Sequence, residues 1–150
     1  MIYTSSYDAC RHTLYATYSI SGDRGARKGY TGKYYKDLAP THDFWDIWYA
    51  RIGTIPEKEN TEYYIREYWA RRLSRLDVKK VYQDLDNSIL LCHEKEGFCH
   101  RDIVAAWFEL LLNVKVYEVV SYGLMIERVD RPRDNIKSYL REIMHKDGVI

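Results

Sequence analysis

No stretch of this 150-residue chain approaches the about 18 consecutive apolar residues that a membrane-crossing helix needs; its longest apolar run is 103–108. No apolar signal-peptide core is present, and three cysteines are an odd number. Both point away from a disulfide framework and toward a reducing, cytoplasmic setting. A Cys-x-x-Cys pair is missing, which disfavours thioredoxin-type exchange. The glycine-rich segment 22–33 lacks a Gly-Lys-Ser/Thr ending, and no Gly-x-Gly-x-x-Gly opens a helix, so neither a Walker loop nor a dinucleotide fingerprint is matched. The formal net charge of only +1 argues against tight, extended tracking of a nucleic-acid backbone. There is no internal repeat and no low-complexity tract.

The composition that is present, 46% apolar and 30% charged, suits one compact domain with a real core. Fifteen tyrosines predict many half-buried rings whose hydroxyls find partners or water. Short strands are expected over 2–6 and 14–20, where aromatic and β-branched residues concentrate. The segment 21–33 holds four glycines and no apolar periodicity and reads as a long loop, of the kind that carries function or mobility. Arg24, Arg27, Lys28, Lys33 and Lys36 follow one another without an intervening acid.

Three helices come next. Thr41 or Asp43 caps one that runs to Ile52, a second spans 60–76, and Asp77 caps a third through Leu85. Ser88 to Cys92 reads as a strand buried on both faces. A helix over 100–112 and a parallel strand over 116–120 complete a strand–helix–strand crossover. Asp130 to Arg133 forms a linker, and Asn135 caps a last helix whose stripe is Ile136, Tyr139, Leu140, Ile143 and Met144. That stripe suits either closure of the core or a homodimer face.

The junction between the 88–92 strand and the next helix gathers Cys92, His93, Glu94, Cys99, His100 and Arg101. In open α/β sheets ligands bind beyond the carboxyl ends of the strands, where helix N-termini offer unpaired amides. Cys99, at the helix start beside His100 and Arg101, has the setting of an activated thiolate, against the plainer reading of a small buried residue. Cys92 and Glu94, two apart on a strand, face one pocket. A Cys92–Cys99 bridge depends on the loop geometry. Zinc on Cys92, His93, Cys99 and His100 is disfavoured, because adjacent strand residues point to opposite faces. Arg101, with helix amides and the hydroxyls of Ser5, Ser6, Ser19 and Ser21, makes an anion site over which Arg24 and its loop can fold. The alternative for Arg101 is an internal clamp to Glu94 or Asp102.

Leu-Leu-Cys-x-Glu followed by Cys-His-Arg and an Ile-Val-Ala-Ala helix resembles the domain-of-unknown-function 488 family. Ile2 to Tyr7 is similar to that family's opening strand, and Val116 to Val120 to its closing one. The resemblance runs from Ile2 to Val120 and implies a small α/β protein with no agreed activity. The family's Asp-Val-Arg triplet after the second strand is replaced here by Tyr18-Ser19-Ile20-Ser21, so no role of that triplet carries over.

Together these readings predict a single Rossmann-like α/β domain over 1–150, with a mostly parallel sheet of about four strands, a helical insert and a linker and helix appended over 121–150. The expected function is binding of a small phosphate-bearing molecule, a nucleotide or its derivative, through Ser5, Ser6, Ser19, Ser21, Arg24, Cys92 and Arg101. No cofactor, metal or membrane partner is assigned. One rival is a thiol enzyme with Cys99 as nucleophile and Glu94 or His100 as proton carrier. Another is a nucleic-acid or protein-interaction module built on loop 24–36, where tyrosines interleave with bases.

Overall fold

The computed structural model describes residues 1–11, 13–94 and 97–150. In chain order the strands are β1 (Tyr3–Ser6), β2 (Cys10–Arg11), β3 (Ala16–Ser19), β4 (Lys33–Tyr34), β5 (Ser88–Cys92), β6 (Tyr117–Tyr122) and β7 (Met125–Val129). The helices are α1 (His42–Arg51), α2 (Glu57–Arg71), α3 (Val78–Leu85), α4 (Arg101–Leu112) and α5 (Asp134–Lys146). They build one curled sheet in the order β2-β6-β1-β5-β3-β4, with β7 added to β6. Every pairing is parallel except β6 with β7. The fold is therefore α/β as expected, with seven strands among the described residues instead of about four.

The extra strands have physical causes. β2 and β4 are two residues long, too short for any alternation to show. β7 returns from β6 through a two-residue turn with Gly123 at φ 62°, a conformation glycine adopts without steric cost.

β5 sits at the centre between β1 and β3, and all five of its residues are buried, as its unbroken apolar run requires. Alternation sends Leu90 and Cys92 into the main core, where they meet residues from all five helices. Ile89 and Leu91 face the other way, into a smaller cluster with Tyr7, Cys10 and Val119 that contains no helical residue. Tyr3, Tyr30 and Ile126 pack against that cluster, so tyrosine rings do on this face what helices do on the other.

The helices follow their sequence signals in part: Thr41 is the α1 N-cap without a side-chain cap bond, α2 begins at Glu57 rather than at 60, and α5 begins at Asp134 after Arg133 rather than being capped by Asn135. Asp77 caps α3 by accepting from the amides of Lys79 and Lys80 at 3.1 and 3.3 Å. The second helix closes at Arg71, and a single 3-10 turn over Leu73–Arg75 covers the rest of the expected 60–76 span. Leu140 and Met144 of α5 are fully buried in the main core, so the last helix closes the core. Among the described residues no helix is long and apolar enough to cross a membrane.

Candidate functional site

The parallel register brings the carboxyl ends of three strands level, with Ser6 opposite Cys92 and Ser19 opposite Leu91. Beyond the ends of β3 and β5 lies a cavity of about 250 Å³. Ser21, Asp23, Cys92, His93, Glu94, Cys99 and His100 line its sheet side, and Arg27 and His42 belong to its rim. Rings form the opposite wall. Trp45 stacks on Tyr49 at 5.0 Å, and Trp48 and Phe98 meet the buried Tyr64 edge-on at 5.2 and 5.1 Å. Helix α1 contributes three of these rings, Trp45, Trp48 and Tyr49.

Cys99 and His100 stand immediately before α4. His100 is buried, and its Nε2 lies 2.6 Å from the carbonyl of Ile20, which can only accept; Nε2 therefore carries the proton. Burial pulls the imidazole pKa down to about 4, and the Arg101 charge adds to that, so the ring is neutral near pH 7. Its Nδ1 lone pair lies 3.9 Å from the Cys99 sulfur. The sulfurs of Cys92 and Cys99 are joined as a disulfide, contrary to the expectation from an odd cysteine count; Cys10 is the remaining thiol. Cys92 Sγ, Cys99 Sγ and His100 Nδ1 or Nε2 together are the one group of three possible metal donors among the described residues, all within 4.8 Å of one another.

His93 takes no part in that group. Its Nε2 meets Asp23 at 2.7 Å, and its ring packs on Tyr7 at 4.9 Å. Asp23 also accepts from Ser21 and from the amides of Gly25 and Arg27. Burial opposes its ionisation, yet these bonds and the contact with His93 bring its carboxyl down to about 2.

Arg101 does not line the cavity, which corrects its assignment as a ligand contact. The side chain is fully buried; its Nε and Nη2 donate to Glu118 at 3.0 and 2.9 Å, and Nη1 donates to Cys92 Sγ at 3.1 Å. The internal clamp is thus real, but its acceptor is Glu118 on β6, not Glu94 or Asp102. Asp102 instead sits in the first turn of α4 and accepts from the Cys99 amide, Arg131 and Arg133. The favourable position for an anion at this helix N-terminus is therefore held by the chain's own carboxylate. Burial raises the Asp102 pKa, but the Arg131 hydrogen bond and the charges of Arg133, Arg131 and Arg101 more than reverse this and leave it below the usual carboxylate range.

The expected hydroxyls divide likewise. Ser21 lines the cavity. Ser5 donates to the Val119 carbonyl, Ser6 accepts from the Ala9 amide, and Ser19 meets the Tyr7 hydroxyl at 2.6 Å, so these three serve the sheet and are not in the cavity wall. Arg24 lies over the Tyr34 ring at 4.7 Å and is likewise absent from the wall. Lys28 pairs with Asp8, and Lys33 lies over Tyr18. Those contacts hold loop 24–36 to the body, whereas the Arg27 side chain makes no ion pair among the described residues.

Glu118, Arg131 and Arg133 carried no local motif that marks them; the role of Glu118 follows from the pairing of β6 with β1, and those of Arg131 and Arg133 from the return of the 130–133 segment over the start of α4. Trp45, Trp48, Tyr64 and Phe98 were visible only as helix-face or loop aromatics. No family model, curated protein or solved structure matches this chain.

Proposed function

We propose that the protein binds a small molecule made of a flat ring and an anionic group, of the nucleotide-derivative class, in the cavity beyond β3 and β5. The observation that carries this reading is the wall of Trp45, Trp48, Tyr49, Tyr64 and Phe98 facing a polar sheet edge. A cavity of about 250 Å³ lies just below the ~300–1,000 Å³ of drug-sized sites and holds the volume of about eight waters. One ring system with short substituents fits. The place agrees with a Rossmann-like reading of the sheet, in which ligands sit beyond the strand ends, although fold by itself does not fix function.

With Arg101 engaged by Glu118, the cation for a phosphate is Arg27 at the rim. The residues that resemble the 488-family signature lie at the same strand–helix junction, and the resemblance adds no activity. A thiol-enzyme reading draws support from the 3.9 Å approach of His100 Nδ1 to Cys99 Sγ, and it requires the Cys92–Cys99 bridge to be open.

Native mass spectrometry of protein purified from cells, followed by tryptophan-fluorescence titration with matched nucleosides and nucleoside monophosphates, tests the proposal. Base–aromatic stacking of about 1–3 kcal/mol predicts that Trp48→Ala weakens binding tenfold or more. Arg27→Ala is expected to weaken nucleotides and leave nucleosides unaffected. Absence of both a retained small molecule and any saturable fluorescence change overturns the reading.

A further inference from the structure

We infer that Cys92, Cys99 and His100, in the dithiol form, make a Zn²⁺ site of the two-thiolate, one-imidazole type whose fourth position opens to the ring-lined cavity. Sulfur and nitrogen donors bound at about 2.1–2.3 Å around a tetrahedral ion stand roughly 3.5–3.8 Å from each other. Cys99 Sγ and His100 Nδ1 are already 3.9 Å apart, and the three donors lie within 4.8 Å. The imidazole is already placed for this; the two sulfurs, bonded to each other in the bridged form, separate to about 3.8 Å on reduction to take one ion between them.

The surroundings of each donor favour this assignment. His100 gives its Nε2 proton to the Ile20 carbonyl, the outer-shell arrangement that fixes a ligating imidazole and leaves Nδ1 as the donor atom. Cys92 receives an N–H from the Arg101 guanidinium, which stabilises a thiolate there. All three side chains are buried, so the ion is shielded except toward the cavity. His93 was the reason to disfavour zinc in the sequence, and it is turned away onto Asp23 and Tyr7.

The bridged form competes with this site but fits its backbone poorly. The Cα atoms of Cys92 and Cys99 are 7.1 Å apart, beyond the about 4.4–6.8 Å that disulfides usually span. Two thiolates gathered on one ion tolerate that separation. Reduction of the bridge by two equivalents of a small thiol, which leave as their own disulfide, or by a phosphine and water, which leave as phosphine oxide, supplies two electrons and two protons and gives two thiols. Binding of Zn²⁺ then releases both thiol protons to solvent, with no further electron transfer.

Two sulfurs and one nitrogen suit borderline-soft Zn²⁺ rather than Mg²⁺ or Ca²⁺, which take oxygen. Three protein donors with an open position are the pattern of reactive zinc sites, whereas structural ones are closed by four. Glu94 lines the same cavity but stands outside the gathered donors, which leaves the fourth position to water or to a bound molecule.

The test is titration of phosphine-reduced whole protein with Zn²⁺ against a chromophoric chelator, alongside Co²⁺ loading to read thiolate-to-metal absorption. We expect one equivalent bound, a thiolate–cobalt band, and release on adding a strong chelator. Cys99→Ser and Cys92→Ser are each expected to weaken Zn²⁺ by more than the 10–100-fold typical of outer-shell changes, and Cys10→Ser to leave it unchanged. Because the cobalt band is read on the unmutated chain, a misfolded variant does not decide the outcome. Absence of stoichiometric uptake or of the thiolate band in the unmutated chain, or loss of uptake in a Cys10→Ser variant whose circular dichroism and unfolding midpoint match the unmutated chain, overturns the site. No ring ligand enters these measurements, so this result and the ligand-binding result stand or fall separately.

Discussion

Replacing Glu118 with glutamine changes almost no volume and removes the charge that faces the fully buried guanidinium of Arg101. Breaking a buried ion pair by removing one partner costs about 3–5 kcal/mol, because the remaining charge is left in a poorly solvating interior. Glutamine keeps one acceptor oxygen, so the expected loss is near the lower end, about 3 kcal/mol. For a domain of this size each kcal/mol lowers the Tm by about 2–4 °C, which gives a fall of about 6–12 °C. Urea unfolding followed by circular dichroism, run at low and high salt, measures it; the loss should persist in high salt because the pair is buried.

The double variant Glu118→Leu with Arg101→Met should recover only part of the stability, because Arg133 and the Thr4 hydroxyl also bond to Glu118 and lose that acceptor. A loss below about 1 kcal/mol for Glu118→Gln, the value of an exposed pair, would refute the argument that this clamp holds α4 to the sheet. Asp102 supplies the acid limit of the same network. Its folded pKa lies below its unfolded one, so its contribution is complete above about pH 3.8 and disappears only as the pH falls through the lowered value.

Other perturbations probe separate features. Gly25→Ala places a Cβ 2.7 Å from atoms of both Tyr7 and Tyr30 at a residue with φ 81°, so a loss of about 2–4 kcal/mol is expected by urea unfolding; a neutral result would mean the glycine loop is not seated on those rings. Asp77→Ala removes the α3 cap and should cost about 1 kcal/mol, with Asp77→Asn recovering most of it. Unreduced, denatured protein should take up one alkyl group at Cys10, and reduced, denatured protein three; three in both would show that the Cys92–Cys99 bridge is absent from the purified chain. In the native fold Cys10 should label slowly at pH 8, because burial pushes its thiol up to about 11.

What the sequence made legible was whatever depended on neighbours along the chain. The apolar run of β5, the Asp77 cap and the crossover through α4 all carry their signals within a few residues. So does the gathering of Cys92, Glu94, Cys99 and His100 at one strand end. Arg101 shows where that legibility stops. A guanidinium needs an acceptor, and the sequence offered two nearby carboxylates; the register of β6 against β1 selected Glu118, 17 positions away. The aromatic wall was hidden for a similar reason. Trp45 and Trp48 have the spacing of a core-facing stripe, and only the folded placement of α1 leaves them bordering a cavity. β7 was the more readable omission, because a glycine between two runs of β-formers is itself a hairpin signal.

The central position of β5 has a kinetic consequence. The amino terminus meets Asp86, 85 residues away, before β5 even begins, and both β1 and β3 pair with β5 rather than with each other. Closing a loop of that length costs about 4 kcal/mol of chain entropy beyond a constant, which must be overcome before the first parallel pairing is rewarded. At roughly 5–20 residues per second on the ribosome, β1 and β3 wait several seconds or more for the strand that joins them. During that interval β1 has no strand partner and β3 has only the two-residue β4, so the edges that β5 later covers stay open until it is made.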